Sequence, residues 1–233
     1  KPFTLNADQA IAVRDLARAK GLLAMEAMWT RYLPHMIRIR EIIESGTLGE
    51  IRAVFADHTQ RISDDPAHRL NALELGGGAL LDLGIYPVSF AWDMLGAPTS
   101  ITATARLGGT GADTEVATIF THASGAVSTT LSSSRAAGPN TAHVVGTEGR
   151  IDIDRVWYTP TSFRVTAPDG TVLEEFVSDV EGRGMQFQAL AAEETIAGGA
   201  TDSERLPIDE TVAIMETLDA VRRQIGLRYP EEH

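Results

Sequence analysis

ITATARLGGTGADTEVATIFTHASGAVSTTLSSS, residues 101–134, decides the fold. Three short runs rich in Thr, Val and Ile are separated by glycine-bearing breaks, which is the pattern of consecutive strands joined by tight connections. The same pattern continues through AHVVGT, RIDIDRVWY, FRVTA and TVLEEFV, with Ser124-Gly125 and Pro168-Asp169-Gly170 as turn signals. Between Thr99 and about Ser178 the sequence predicts a largely antiparallel sheet of six or seven strands, several of them carrying Thr and Ser on one face.

Upstream of that sheet, helical and strand signals alternate. Asn6 followed by Gln9 resembles a capping box, and Gly21 after Lys20 is a good helix stop. Ala10, Val13, Leu16 and Ala17 then share one helical face. LLAMEAMW, residues 22–29, reads as a short buried strand. Pro34 can open a second helix with Met36, Ile39, Ile42 and Ile43 as its apolar stripe and Gly46 as its end. IRAVFAD follows as an alternating strand, residues 58–75 as a polar loop, and Ala79 to Leu95 as a helix that Gly84 and Pro87 should kink near Tyr86. Two further helices are expected at about Met185 to Ala197 and Ile208 to Gly226. The fold class is therefore α+β, with α/β order at the N-terminus and an open, mostly antiparallel sheet covered by helices on one face.

Composition narrows the function. The 233 residues suffice for a real core, and a formal charge of −12 argues against nucleic acid or an anionic membrane as partner. Without cysteine there is no disulfide, thiolate metal site or cysteine nucleophile. The six histidines lack ligand spacing, so no metal site is expected. No apolar run reaches the roughly 18 residues of a membrane span, and a soluble cytoplasmic protein is the expectation. The opening KPFTLNADQA lacks an initiator Met, as expected of a piece cut from a longer protein.

KPFTLNADQA, EAMWTRYLP, GGGALLDLGIYPV and GMQFQALAAEETIAGG occur in an order that resembles the glucose-fructose oxidoreductase/inositol dehydrogenase family, and within it the dihydrodiol and xylose dehydrogenase branch. The resemblance spans residues 1 to 226. It implies a two-domain enzyme with an N-terminal Rossmann domain for NAD or NADP and a C-terminal domain whose open sheet forms a homodimer. Residues 1–29 would then be the last helix and strand of a truncated Rossmann domain, and residues 30–233 the substrate-binding and dimerisation domain. The G-x-G-x-x-G expected after the first Rossmann strand is absent, and Gly76 to Gly78 do not fit it. This chain alone is accordingly expected to bind no cofactor and to be inactive.

The resemblance also assigns residues. Oxidising an alcohol with a nicotinamide requires a base for the hydroxyl proton, and Tyr86 is the candidate. A phenol is a poor base at neutral pH unless a cation lowers its pKa, and Lys1, followed by Pro2 in a bond that is a candidate for the cis form, is the family's cation, reaching between nicotinamide and substrate. Asp82, one helical turn before Tyr86, would complete the catalytic group or bind a substrate hydroxyl. Trp29 and Arg31 are substrate-binding candidates, and Arg69 and Lys1 cofactor-binding ones. Each has a plainer alternative: a tyrosine bonded to backbone, a solvated lysine or arginine, a capping aspartate, a core tryptophan. Gly76 to Gly78 could admit the nicotinamide or merely make a tight turn. The substrate would be a small polyol, either an aldose sugar or a trans-dihydrodiol. The alternative from another class is a non-catalytic, dimerising sensor or scaffold.

Overall fold

The computed structural model describes residues 1–230 and 232. Helix α1 (Ala7–Lys20) starts where the sequence places it, since Asn6 accepts a hydrogen bond from the Gln9 N–H and Gly21 closes the helix in a left-handed conformation. Val13 and Leu16 nevertheless face outward, and the helix packs on the C-terminal helix through Ala7 and Ala10. Residues 22–28 are irregular. The strand expected there is absent because no neighbouring strand offers a ladder, and the run ends in a 3-10 turn over Trp29–Tyr32. The Lys1–Pro2 bond is cis.

Helix α2 (Pro34–Glu44) has proline in its first turn and buries Met36, Ile39 and Ile42. Strand β1 (Ile51–Thr59) then enters the centre of the sheet. Beyond the polar loop, the run from Ala79 is irregular before Tyr86 rather than at it. Leu80–Gly84 forms a π turn, followed by helix α3 (Ile85–Leu95). Widening the turn is one way a helix accommodates a proline that cannot donate.

The remaining strands are β2 (Pro98–Leu107), β3 (Asp113–His122), β4 (Val127–Ser133), β5 (Ala142–Gly146), β6 (Arg150–Ile153), β7 (Phe163–Thr166) and β8 (Val172–Phe176), closed by helices α4 (Gln186–Ala197) and α5 (Ile208–Ile225). They form one eight-stranded sheet in the order β2-β3-β4-β1-β5-β6-β7-β8. All neighbours are antiparallel except β1 and β4. One face is covered: α3 lies across β1 and β4, and α5 against β2. Val54, Ala56 and His58 of β1 point to that side, with Val116, Thr118 and Phe120 of β3. The Ser/Thr-rich β4 splits between faces. Ser128, Thr130 and Ser132 are buried beneath the helices, where their small size admits the π turn, while Leu131 faces outward with Phe55 and Ile119. No helix among the described residues is long and apolar enough to cross a membrane.

Candidate active site

The C-terminal end of β1, the π turn and the 3-10 turn at Trp29 converge on Tyr86. Its phenol is 6% exposed, and its hydroxyl oxygen accepts a hydrogen bond from Trp29 Nε1 at 2.9 Å. The Lys1 ammonium lies 4.4 Å from the centre of the Tyr86 ring. Lys1 Nζ donates to the Asp82 backbone carbonyl at 2.8 Å and sits 3.9 Å from the Asp82 carboxylate, which also accepts from Arg69 at 3.0 Å. Lys1, Trp29, Arg69, Asp82 and Tyr86, named from residues far apart in sequence, are thus one cluster.

His58 and Tyr158 complete its wall. The His58 ring stacks on Tyr158 at 3.8 Å and meets Tyr86 edge-on at 4.8 Å, while Gln60 Nε2 lies 2.8 Å from His58 Nε2. Neither was among the candidates. The alternation of β1 carried the signal for His58, because it falls on the same face as Val54 and Ala56. Tyr158 gave none: the strand expected through it stops at Ile153, and Tyr158 follows a turn in which Val156 takes a positive φ of 44°.

The electrostatics reverse one expectation. Burial pushes the Tyr86 phenol up to about 12, with the Trp29 hydrogen bond pulling the other way and Asp82 and Tyr158 adding to the rise. Lys1 is not among the causes of that shift, and its ammonium lies over the ring face. Burial also holds Lys1 below the usual lysine range, opposed by Asp82. His58 is driven down to about 3 by burial and by Lys1, so its imidazole is neutral at any working pH. Glu26, 1% exposed, is pushed up to about 7 by burial.

The structure does not bring Arg31 into this cluster. Its buried guanidinium donates to Ser89 Oγ at 3.1 Å, the Ser89 carbonyl at 2.9 Å, Asp93 at 3.0 Å and Glu210 at 2.7 Å. It ties the 3-10 turn to α3 and α5.

The glycines are resolved as a tight turn. A Cβ on Gly78, whose φ is 139°, would collide with the Asp113 carboxylate, and one on Gly76 with the Leu5 side chain 2.5 Å away. Asp113, buried and raised to about 6 by burial, accepts from the Leu80 N–H at 2.6 Å and so caps the start of the π turn. No group of three or more His, Cys, Asp or Glu among the described residues could hold a metal.

A family model described as the GFO/IDH/MocA C-terminal domain matches residues 36–152. Trans-1,2-dihydrobenzene-1,2-diol dehydrogenase of Mus musculus is 32% identical over the whole chain, which spans 71% of that enzyme. The chain belongs to the GFO/IDH/MocA family. D-xylose 1-dehydrogenase (NADP(+)) of Hypocrea jecorina is 33% identical over 99% of the chain and 67% of its own length. Among solved structures, aldose-aldose oxidoreductase from Caulobacter crescentus shares the fold at a TM-score of 0.84 and 22% identity, covering 97% of this chain and 68% of the other. A 3-ketoreductase from Actinomadura kijaniata in complex with NADP and TDP-benzene gives 0.83 and 25%, with 97% and 69% covered. This GFO/IDH/MocA member is therefore of the oxidoreductase type, and the cluster around Tyr86 is its candidate active site.

Proposed function

We propose that this chain supplies the acid–base and substrate side of an NAD(P)-dependent dehydrogenase acting on a small polyol, an aldose sugar or a trans-dihydrodiol, with Tyr86 as the proton-transfer group. The observation that carries this reading is the buried phenol held by the Trp29 N–H beside a lysine ammonium, in a chain whose relatives are named as dehydrogenases. Residues 1–29 are read as the end of a nucleotide-binding unit and residues 30–233 as the substrate-binding and dimerising unit.

The residues present fit the reacting end of a nicotinamide and not its phosphates. Lys1, with 18% of its side chain exposed, and Arg69, with 64%, could meet the cofactor. The chain has no G-x-G-x-x-G, and the turn at Gly76–Gly78 is filled by Leu5 and Asp113, so the chain by itself is proposed to be inactive. The nicotinamide, when bound, supplies the hydride acceptor or donor. In the oxidising direction the Tyr86 phenolate takes the proton of the substrate hydroxyl as its C–H bond breaks; in the reducing direction the neutral phenol returns a proton to the carbonyl oxygen. Trp29 holds the phenolic oxygen and stabilises its negative charge. The Asp82 carboxylate, anchored by Arg69, is placed to accept from a second substrate hydroxyl. His58 and Tyr158 exclude water and fix the Tyr86 ring.

The pH dependence tests the assignment. With the phenol near 12, the phenolate fraction grows about tenfold per pH unit below that value. For the intact enzyme kcat/KM for oxidation is therefore expected to rise about tenfold per unit between roughly pH 7 and 10, whereas reduction, which uses the protonated phenol, stays flat. An oxidation rate independent of pH over that range would count against Tyr86 as the base.

The protein is further proposed to form a homodimer through the sheet face that no helix covers, where Phe55, Ile119 and Leu131 are exposed. Ile119→Lys is expected to halve the mass seen by sedimentation. An unchanged mass for that variant argues for a different interface.

A further inference from the structure

Three cations lie around the Tyr86 cluster, and two of them already have a carboxylate. Lys1 and Arg69 both meet Asp82, at 3.9 Å and 3.0 Å. The third is Arg183, which is exposed and has no ion pair and no side-chain hydrogen bond among the described residues.

Two observations place Arg183. The first is the backbone beside it. Gly184 is buried at a φ of 71°, and a Cβ there would lie 2.5 Å from Leu33 Cδ2 and 3.1 Å from Pro160 Cγ. Leu33 follows the 3-10 turn that carries Trp29, and Pro160 stands two residues after Tyr158. The Gly184 carbonyl also accepts from the Phe187 N–H at 3.2 Å, in the first turn of α4. Arg183 is thus held at the junction of the two segments that wall the site. The second observation is its charge. Burial dominates the shifts of Lys1, Tyr86 and Tyr158, and the Arg183 guanidinium acts on all three, pulling each downward. Groups on three separate segments feel this one cation, which sets it beside the cluster and not on a remote surface.

The charges say what this arginine can hold. Lys1, Arg69 and Arg183 are set against Asp82 and against Glu26, whose carboxyl burial pushes up to about 7. With Tyr86 as a neutral phenol the cluster keeps a positive surplus, in a protein whose formal charge is −12. Such a spot draws anions. One guanidinium with its fork of donors unspent matches one carboxylate, through two parallel hydrogen bonds.

We propose that Arg183 binds the substrate and sets its class: the preferred polyol is a sugar acid, whose carboxylate pairs with Arg183 while the hydroxyl to be oxidised faces Tyr86. The reaction rests on the dehydrogenase reading above; the pairing of a carboxylate with Arg183 does not.

The test compares sugars that differ at a single carbon, D-glucose with D-glucuronate and D-galactose with D-galacturonate, given to the intact enzyme with its nicotinamide nucleotide. The ratio of kcat/KM for uronate over aldose is expected to exceed one. In Arg183→Gln that ratio is expected to fall about 10–150-fold, the worth of a hydrogen bond to a charged group. Arg183→Lys keeps the charge without the fork, and is expected to fall between the two. A ratio below one in the parent overturns the proposal, as does a ratio that Arg183→Gln leaves unchanged, the result for an ordinary solvated arginine. A weaker nucleotide Kd in Arg183→Gln, measured without sugar, assigns the guanidinium to the cofactor and overturns it as well. Uronate binding by the intact protein, followed by NMR line broadening of the sugar, needs no turnover. Binding that Arg183→Gln abolishes, in a protein that reduces no nucleotide, upholds the carboxylate site and sinks the dehydrogenase reading. Turnover of aldoses with no preference for the acids does the reverse.

Discussion

Tyr86→Phe is expected to lower kcat of the intact enzyme by about 10²–10⁴-fold, the range in which a positioned general acid–base acts. The substitution removes one oxygen and keeps the ring, so the edge-on contact with His58 at 4.8 Å and the cation over the ring face both survive. What is lost is the atom that exchanges the proton and the acceptor for Trp29 Nε1. Leaving that buried indole N–H unpaired costs about 1–3 kcal/mol of stability, too little to unfold a domain of this size by itself. Turnover should therefore collapse while circular dichroism shows a folded protein. Activity retained within a few-fold of the parent would remove Tyr86 from the mechanism.

Arg31→Ala is expected to act on stability instead. Arg31 is 2% exposed and joins Asp93, Glu210 and both oxygens of Ser89, while Arg40 donates to the other Asp93 oxygen at 2.7 Å and to the Arg31 carbonyl at 2.7 Å. Truncation leaves the buried Asp93 with Arg40 as its remaining cation, takes a partner from the half-buried Glu210 and unpairs the buried Ser89 oxygens, which typically costs about 1–3 kcal/mol. For a chain of this length that corresponds to a fall in Tm of about 2–12 °C. A substrate-binding role predicts the opposite pattern, a raised KM with Tm unchanged. Thermal unfolding beside steady-state kinetics separates the two, and the network predicts the first.

Arg31 also marks where the sequence is silent. Its neighbour Trp29 reaches Tyr86 because a 3-10 turn rotates the two side chains to different sides of the chain, and a strand assigned from apolar content has no means of showing that. The helix ends were legible because caps are local: Asn6 with Gln9, and Gly21, act within one turn. The sheet was legible because turn residues and β-branched runs are local too. The parallel pairing of β1 with β4 was not, since register between strands some 70 residues apart is set by packing rather than by either strand alone. Of the site, Tyr86, Asp82 and Lys1 were named from the family resemblance, and the structure brings them together. The direction of the Tyr86 pKa needed coordinates, because it is set first by burial. The glycines show the same limit, because the occupant of their space, Asp113, lies 35 residues beyond Gly78.

The most direct test of the central claim mixes the intact protein with NAD or NADP and a panel of aldoses and trans-dihydrodiols, and follows the absorbance of the reduced nicotinamide. Growth of that absorbance with at least one polyol, lost in Tyr86→Phe, is the result this account predicts. No reduction of either nucleotide with any polyol, by a protein shown to bind the nucleotide, would contradict it.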